Sequence, residues 1–522
     1  MQFVLQFAPP SIQALSMKPE EVLELLISDA PLVLVEAPGG CGKTYQGAKC
    51  AATIAASLES GRVLILTHTH AACAAFEKAT KGALTRVDIR TIDSLVIQIA
   101  TIYHLALGLP KNPAAWVRQQ RNVDGYKLLA TRVASLLSRN RFISEAMVAH
   151  YPYVLADEHQ DASADQHSVI MALVQAGAKV RVFGDPMQSI YSRTPSDRSE
   201  SSERWSTLKA ASSFAKLNYP FRWDTGSPEL GKWVLDARDA LKAGRQIDLR
   251  GDLPRGLTIL FADNKARHPH GYQLEEEDRR ALDNLVETRE SLLILTPTNE
   301  MVVTLAAFWR RSIPIWEGHT RPALDLLATE ISAHEGDASL IADAAINFIQ
   351  ATTVGFGNST HGNRLRKEVS EGCAHKTRGT PALLQQLARI IVDTPNHHGV
   401  ARMLSRLKQL REERTPGFDL KVDNFQEYQE AVRLAEYDDV QEGLAEITRR
   451  RTFRRPMPRA KSISTIHKAK GLETEHVLLI PCDARMTATE YSRCRLYVSL
   501  SRAKTSLTLV VSRSNPSPVF QL

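Results

Sequence analysis

Residues 33–47 read VLVEAPGGCGKTYQG, an apolar run followed by a glycine-rich turn and Lys43-Thr44. The spacing A-x-x-x-x-G-K-T over 37–44, after a strand and before a helical stretch, lets backbone N–H groups and a helix N-terminus cradle phosphate oxygens. Gly39, Gly40 and Gly42 permit close backbone approach, and Cys41 and Tyr45 complete the lining of the turn. Lys43 would neutralise the β and γ oxygens of a nucleotide, and the Thr44 hydroxyl would ligate Mg²⁺. Hydrolysis also requires a carboxylate on the metal and a group that activates water. YVLADEHQD at 153–161 offers both: Asp157 to hold Mg²⁺ and Glu158 as a general base. A third strand-like run ends VRVFGDPMQSIY at 180–191, where Gln188 is placed to hydrogen-bond a γ-phosphate or the attacking water.

The elements that must position these groups are short aliphatic runs at 32–35, 63–66, 154–156 and 180–183, separated by helical patterns. Such alternation predicts a parallel α/β sheet with its chemistry at the carboxyl edge of the strands. Between 101 and 150 the text turns helical, as GYKLLATRVASLLSRNRFISEAMVAHY shows. A second α/β region opens at SLLILTPTNEMVVTLAAFWRRSIPIW, with a strand at 292–295. A long helical stretch then runs from 319 to 455, and the α/β pattern resumes at HVLLIPCD and SLTLVVSR, as in a domain interrupted by an insertion.

A chain of 522 residues accommodates two to four domains. Its 43% hydrophobic and 24% charged content is that of a soluble globular protein, and no apolar run reaches the roughly 18 to 20 residues of a membrane span. The start, MQFVLQFAPPSIQ, has no signal-peptide pattern, so a cytoplasmic location is expected. Six cysteines without a C-x-x-C pair point to packed thiols rather than disulfides or zinc. The formal charge of +7 favours a polyanionic partner. The run RRRTFRRPMPRAK at 449–461 fits either a solvated basic linker or a phosphate-contacting segment.

DEHQD at 157–161 followed by GDPMQSIY at 184–191 resembles the DEXQD and GDxxQSIY motifs of superfamily 1 helicases of the UvrD/Rep type. STIHKAKGLETEHVLLI resembles that family's motif V and RLYVSLSRAKTSLTLVV its motif VI. The resemblance covers roughly 31–223, 291–316 and 460–515. It implies two RecA-like domains with parallel sheets, each interrupted by a mainly helical insertion, with ATP in the cleft between them. The implied domains are 1A over 1–230 with insertion 1B at about 101–150, 2A over 231–318 and 456–522, and insertion 2B over 319–455. Both insertions are short for the family.

By the same resemblance Arg502 of motif VI reaches the γ-phosphate, and Glu473 of motif V contacts the ribose or phosphate side of the nucleotide. The motif IV text is LNYPFRW, where two registers fit. Phe221 as the adenine-facing aromatic and Arg222 as the second arginine is preferred, because the alternative puts Pro220 at the cationic position. The family's adenine-reading glutamine has no recognisable L-N-x-x-Q context here, leaving Gln6 and Gln13 as candidates. DNA contacts carried over are His68 and His70 in LTHTHAAC, Thr91 in RTIDSL, and Thr465 and His467 in motif V. Asp93 in RTIDSL replaces a family histidine. Tyr191 and Trp223 are stacking candidates or core aromatics.

The function implied is an ATP-dependent helicase or translocase on single-stranded DNA or DNA with a single-stranded tail, of 3′ to 5′ polarity, in repair or antiviral defence. The rival reading is a DNA-stimulated motor or sensor subunit serving a nuclease or ATPase partner. Stacking and phosphate contacts serve RNA as well as DNA. The pair His397-His398 has no matching ligand set and reads as a solvated turn.

Overall fold

Apolar runs buried on both faces become central parallel strands, and the computed structural model places them so. It describes residues 18–81, 85–119, 124–192, 194–268, 271–317, 321–375, 377–454 and 458–522, and Gln6 and Gln13 lie outside these. The chain divides into two units, one comprising Met1–Thr298 with Thr465–Leu522 and the other Asn299–Ser464.

The first unit carries a six-stranded parallel sheet in the order β3-β2-β4-β5-β1-β6. Its strands are β1 Leu32–Glu36, β2 Val63–Thr67, β3 Val87–Thr91, β4 Tyr153–Ala156, β5 Lys179–Gly184 and β6 Ser213–Lys216. Because β5 lies between β1 and β4, the loops leaving these three strands sit side by side at one edge. The sequence reading missed β3 and β6. Both are edge strands, and VDIRT and SFAK mix polar with apolar residues because an edge needs less apolar cover.

Helices Pro113–Gln119, Gly125–Arg139 and Arg141–His150 occupy the stretch expected to be a helical insertion. Val117, Leu129, Val133 and Leu137 share one core with Leu32, Leu34, Val154 and Val180 of the sheet. This helical layer thus packs on the first sheet instead of building a core of its own.

A second group of parallel strands in the same unit runs Leu292–Thr296, Thr474–Cys482, Ala503–Val511 and Leu257–Phe261 in spatial order. The strand at Leu257–Phe261 was also missed; it lies at the end of the sheet order and is exposed at Thr258 and Phe261. Met187, Ile190 and Trp223, from loops beyond β5 and β6, share a core with Leu293, Leu295, Leu479 and Leu509 of this sheet. The two sheets are therefore joined by a common apolar cluster. Trp223 is completely buried there, so it is a core residue and not a stacking platform.

The second unit is helical, with seven α-helices among the described residues between Pro322 and Arg454 around Leu327, Ile346, Phe348, Leu387, Leu404 and Tyr428, and a short antiparallel pair Thr353–Val354 with Lys421–Val422. His397-His398 is not a solvated turn. Asn396 caps a helix by accepting the N–H groups of His398 and Gly399, and buried His397 shares a hydrogen bond with the Tyr437 carbonyl at 2.9 Å.

Among the described residues no helix is long and apolar enough to cross a membrane, and no cluster of three or more His, Cys, Asp or Glu is arranged to hold a metal ion. All six cysteines are buried and unbridged.

Gly231, on helix Pro228–Lys242, faces the Trp223 ring so closely that a Cβ would stand 2.8 Å from Trp223 Cβ and Cγ. Gly231→Ala should therefore lower stability by about 1–3 kcal/mol through overpacking, read as a reduced midpoint in thermal or urea unfolding.

Candidate active site

β1 ends at Glu36 and the chain turns through 37–42 into helix Lys43–Ser57. Gly40 (φ 86°) and Gly42 (φ 81°) hold the left-handed conformations that the turn requires. Gly42 occupies the N-cap and no side chain caps the helix, which leaves first-turn N–H groups available to an anion. A Cβ on Gly40 would meet Trp223 at 2.7 Å and Arg222 at 2.9 Å, and one on Gly42 would meet Phe221 at 3.0 Å. The Arg222 N–H donates to the Gly40 carbonyl at 3.0 Å. The segment Phe221–Trp223 thus lies directly on the glycine turn, while Tyr219 packs outward against Phe221 with ring centroids 4.5 Å apart. Tyr45 is exposed beside the turn, and Cys41 is buried, its thiol pushed up to about 12 chiefly by burial.

From β4, Asp157 and Glu158 enter the same space. Lys43 is buried and its Nζ lies 2.9 Å from Glu158 Oε1. Glu158 has a left-handed backbone (φ 51°), rare for a residue with a side chain, and accepts a hydrogen bond from Gln160. Burial opposes its ionisation, but the charges of Lys43 and Lys470 outweigh this and hold the carboxyl at about 2. Asp157 is driven the other way, upward, by burial and by the adjacent Glu158 charge. Its Oδ1 is buried without a hydrogen-bond partner. A bare carboxylate oxygen next to Lys43, with Thr44 half-buried in the first turn of the helix, is a donor set suited to a hard divalent cation.

From β5, Asp185 accepts the Gln188 amide N–H at 3.1 Å. A Cβ on Gly39 would lie 3.2 Å from Gln188 Nε2, 3.3 Å from Ser501 Oγ and 3.4 Å from Arg502 Nη2. Groups from both sheets therefore converge on one residue of the turn. Arg502 is buried, donating from Nε to the Val498 carbonyl at 2.8 Å and from Nη2 to Ser501 Oγ at 2.7 Å. Arg222 donates to the Ser501 carbonyl and pairs with Glu473, so the Glu473 carboxylate is engaged by Arg222, with Lys504 Nζ at 3.7 Å.

The residues proposed to grip DNA are more scattered in kind. Tyr191 is 54% exposed, with Lys470 Nζ 4.8 Å from its ring centroid. His467 contacts the Ile190 carbonyl at 3.2 Å and the Tyr491 hydroxyl at 2.8 Å. The buried hydroxyls of Thr91 and Thr465 accept the N–H groups of Ser94 and Lys468. His68 is half-buried; burial keeps its imidazole neutral, against the charge of Asp161. The side chain of His70 lies outside the described residues. Asp93 accepts the Gln166 amide at 2.7 Å and so has its charge committed.

Two contributors had no role in the sequence reading. Lys470 donates to Asp161 and to the Gln188 carbonyl at 2.7 Å; it stood inside the motif V text but carried no assignment. Arg238, fully buried, donates to Asp185 Oδ1 at 2.6 Å and Glu36 Oε1 at 2.7 Å. Its one sequence signal is a charge on the otherwise apolar face of helix Pro228–Lys242.

The model of the UvrD/REP helicase N-terminal domain matches residues 115–197, and that of the UvrD-like helicase C-terminal domain matches residues 462–510. These two matches support a UvrD-like superfamily 1 helicase. No curated protein matches it. The matched spans hold DEHQD, GDPMQSIY and the motif V and VI texts, and the glycine turn lies upstream of both. UvrD-like helicases are ATP-hydrolysing motors that act with a divalent metal, and the α/β architecture with parallel sheets agrees with their RecA-like domains.

Arg238 neutralises two buried carboxylates, so Arg238→Met should cost about 3–5 kcal/mol. Burial opposes ionisation of Asp185 and Glu36, but Arg238, with Lys242 at Glu36, outweighs it and lowers both pKa values. In the unmutated chain this stabilisation is complete above the unfolded carboxylate range near 4 and is lost as pH falls through the depressed folded values. Without the arginine the two acids are stabilised by protonation. The deficit of the variant in urea unfolding should accordingly shrink below about pH 4.

Proposed function

We propose that this chain hydrolyses ATP to translocate on single-stranded DNA, with 3′ to 5′ polarity taken from the family. The observation that carries the reading is the meeting of Gln188 with Ser501 and Arg502 around Gly39, beside the Lys43–Glu158 pair. In this reading the uncapped helix start and the glycine turn bind the phosphates, and Lys43 exchanges its Glu158 partner for the β and γ oxygens. Thr44 and Asp157 would hold Mg²⁺, which supplies charge neutralisation at those oxygens. Glu158, released from Lys43 and already ionised, accepts the proton of the attacking water. Gln188 orients that water or the γ-phosphate. Arg222 and Arg502 face the charge that develops on the transferred phosphoryl group, where such planar cations are worth on the order of a thousandfold or more. Phe221, exposed beside Gly42, is the surface offered to the base.

Strand contact is assigned to Tyr191, His68, His467, Thr91 and Thr465. Tyr191 carries most of this assignment, since its exposed ring offers a stacking face beside the Lys470 ammonium. Lys470 also touches Asp161 and the Gln188 carbonyl, so strand binding at Tyr191 and the γ-phosphate machinery share one ammonium.

Steady-state ATP hydrolysis should be stimulated by single-stranded DNA, far less by duplex, and should vanish in Lys43→Ala. Glu158→Gln should cut turnover by about a hundredfold or more while retaining ATP and single-stranded DNA in a filter-binding assay. Turnover of Glu158→Gln at the unmutated rate would remove Glu158 as the base, and equal rates with and without single-stranded DNA would remove the strand-driven motor.

A further inference from the structure

The glycine turn is held from the second sheet by a bond that its own motif does not contain. Gly39 is buried, and its backbone N–H donates to the Tyr497 hydroxyl at 2.8 Å. Tyr497 is itself fully buried on helix Glu490–Leu500, with its ring 5.8 Å from the Arg238 guanidinium, and belongs to the apolar cluster that joins the two sheets. The helix ends at Leu500 and is followed by Ser501, its C-cap, and Arg502, the same two residues that close on the Cα side of Gly39. One short stretch of chain therefore grips Gly39 at its amide and also encloses it. A phenylalanine would fill the ring's space equally well, but it would leave a buried N–H without an acceptor, which costs far more than the bond is worth in water.

We infer that Tyr497 is a positioning residue for ATP: through Gly39 it sets the conformation of the phosphate-binding turn from the second sheet, before any nucleotide arrives. The inference rests on the reading of this turn as the ATP site. Its physical content is pre-organisation. A turn already fixed by Tyr497 gives up little conformational freedom when phosphates bind, whereas a released turn must be ordered at the expense of affinity. Among the described residues the hydroxyl's hydrogen bond is to the turn, so its effect is felt in nucleotide affinity and not in the identity of the reacting groups.

Tyr497→Phe tests this directly because it removes one oxygen and keeps the ring. Hydrogen–deuterium exchange of the nucleotide-free protein should show faster exchange in the peptide spanning 33–47, with helix Pro228–Lys242 unchanged. Titration with a non-hydrolysable ATP analogue, at a temperature where both proteins are fully folded, should show affinity weakened about five- to tenfold. Unchanged exchange over 33–47 together with unchanged affinity would overturn the inference, as would a loss of exchange protection spread evenly through the unit, which marks a merely structural role. Failure of the unmutated protein to bind the analogue at all would instead overturn the ATP site itself, and Tyr497's role with it.

Discussion

Burying carboxylates is expensive, and this structure gathers two buried ones, Glu36 and Asp185, and two half-buried ones, Glu158 and Asp161, within a few residues of one sheet edge. Each is held by a cation brought from elsewhere in the chain. Lys43 answers Glu158 across the glycine turn, Arg238 answers Glu36 and Asp185 from a separate helix, and Lys470 answers Asp161 from the loop before strand Thr474–Cys482. Such pairs contribute little net stability over an apolar core, yet losing one partner leaves an uncompensated charge. The site is consequently fixed in place by a constraint that acts on both sheets at once. Asp157 and Asp161 each keep a buried oxygen without a hydrogen-bond partner and have carboxyls pushed upward by burial, but the other oxygen of Asp161 is bonded by Lys470.

The same constraint brings the second sheet to the proposed site. Lys470, Arg502 and Tyr497 each reach a motif on the first sheet, at Asp161, Gln188 and Gly39 respectively. Arg222, carried on the segment after β6, returns the contact by bonding Ser501 and Glu473. A motor that converts hydrolysis into motion needs this kind of reciprocal contact, because a change at the phosphates then alters the bonds that hold the two sheets together.

The residues proposed to meet the nucleotide through local sequence are those whose pattern is short-range. The glycine turn, Lys43-Thr44 and the acidic end of β4 announce themselves because backbone donors, an ammonium and a carboxylate must follow strands at short range. The central strands were equally plain, since burial on both faces demands unbroken aliphatic runs. Edge strands β3 and β6 were hidden because they carry mixed residues. Arg238 and Lys470 were hidden for a different reason: their partners Asp185, Glu36 and Asp161 lie 53 or more positions away in sequence, and no spacing rule registers such a pair. Trp223 shows the limit of residue type as evidence. An aromatic beside a nucleotide motif can be a stacking face or a core plug, and the apolar cluster between the sheets, along with the gap left by Gly231, decides for the plug.

The claim on which everything else rests is that groups from both sheets form one phosphoryl-transfer site, and single-turnover ATP hydrolysis by Arg502→Lys tests it most directly. Lysine keeps the charge but loses the planar fork that meets the transferred phosphoryl group. ATP should still bind within a few-fold of the unmutated affinity while the hydrolysis rate falls by a factor of about a hundred or more. A single-turnover rate equal to that of the unmutated chain would contradict that claim, and would confine the chemistry to the first sheet.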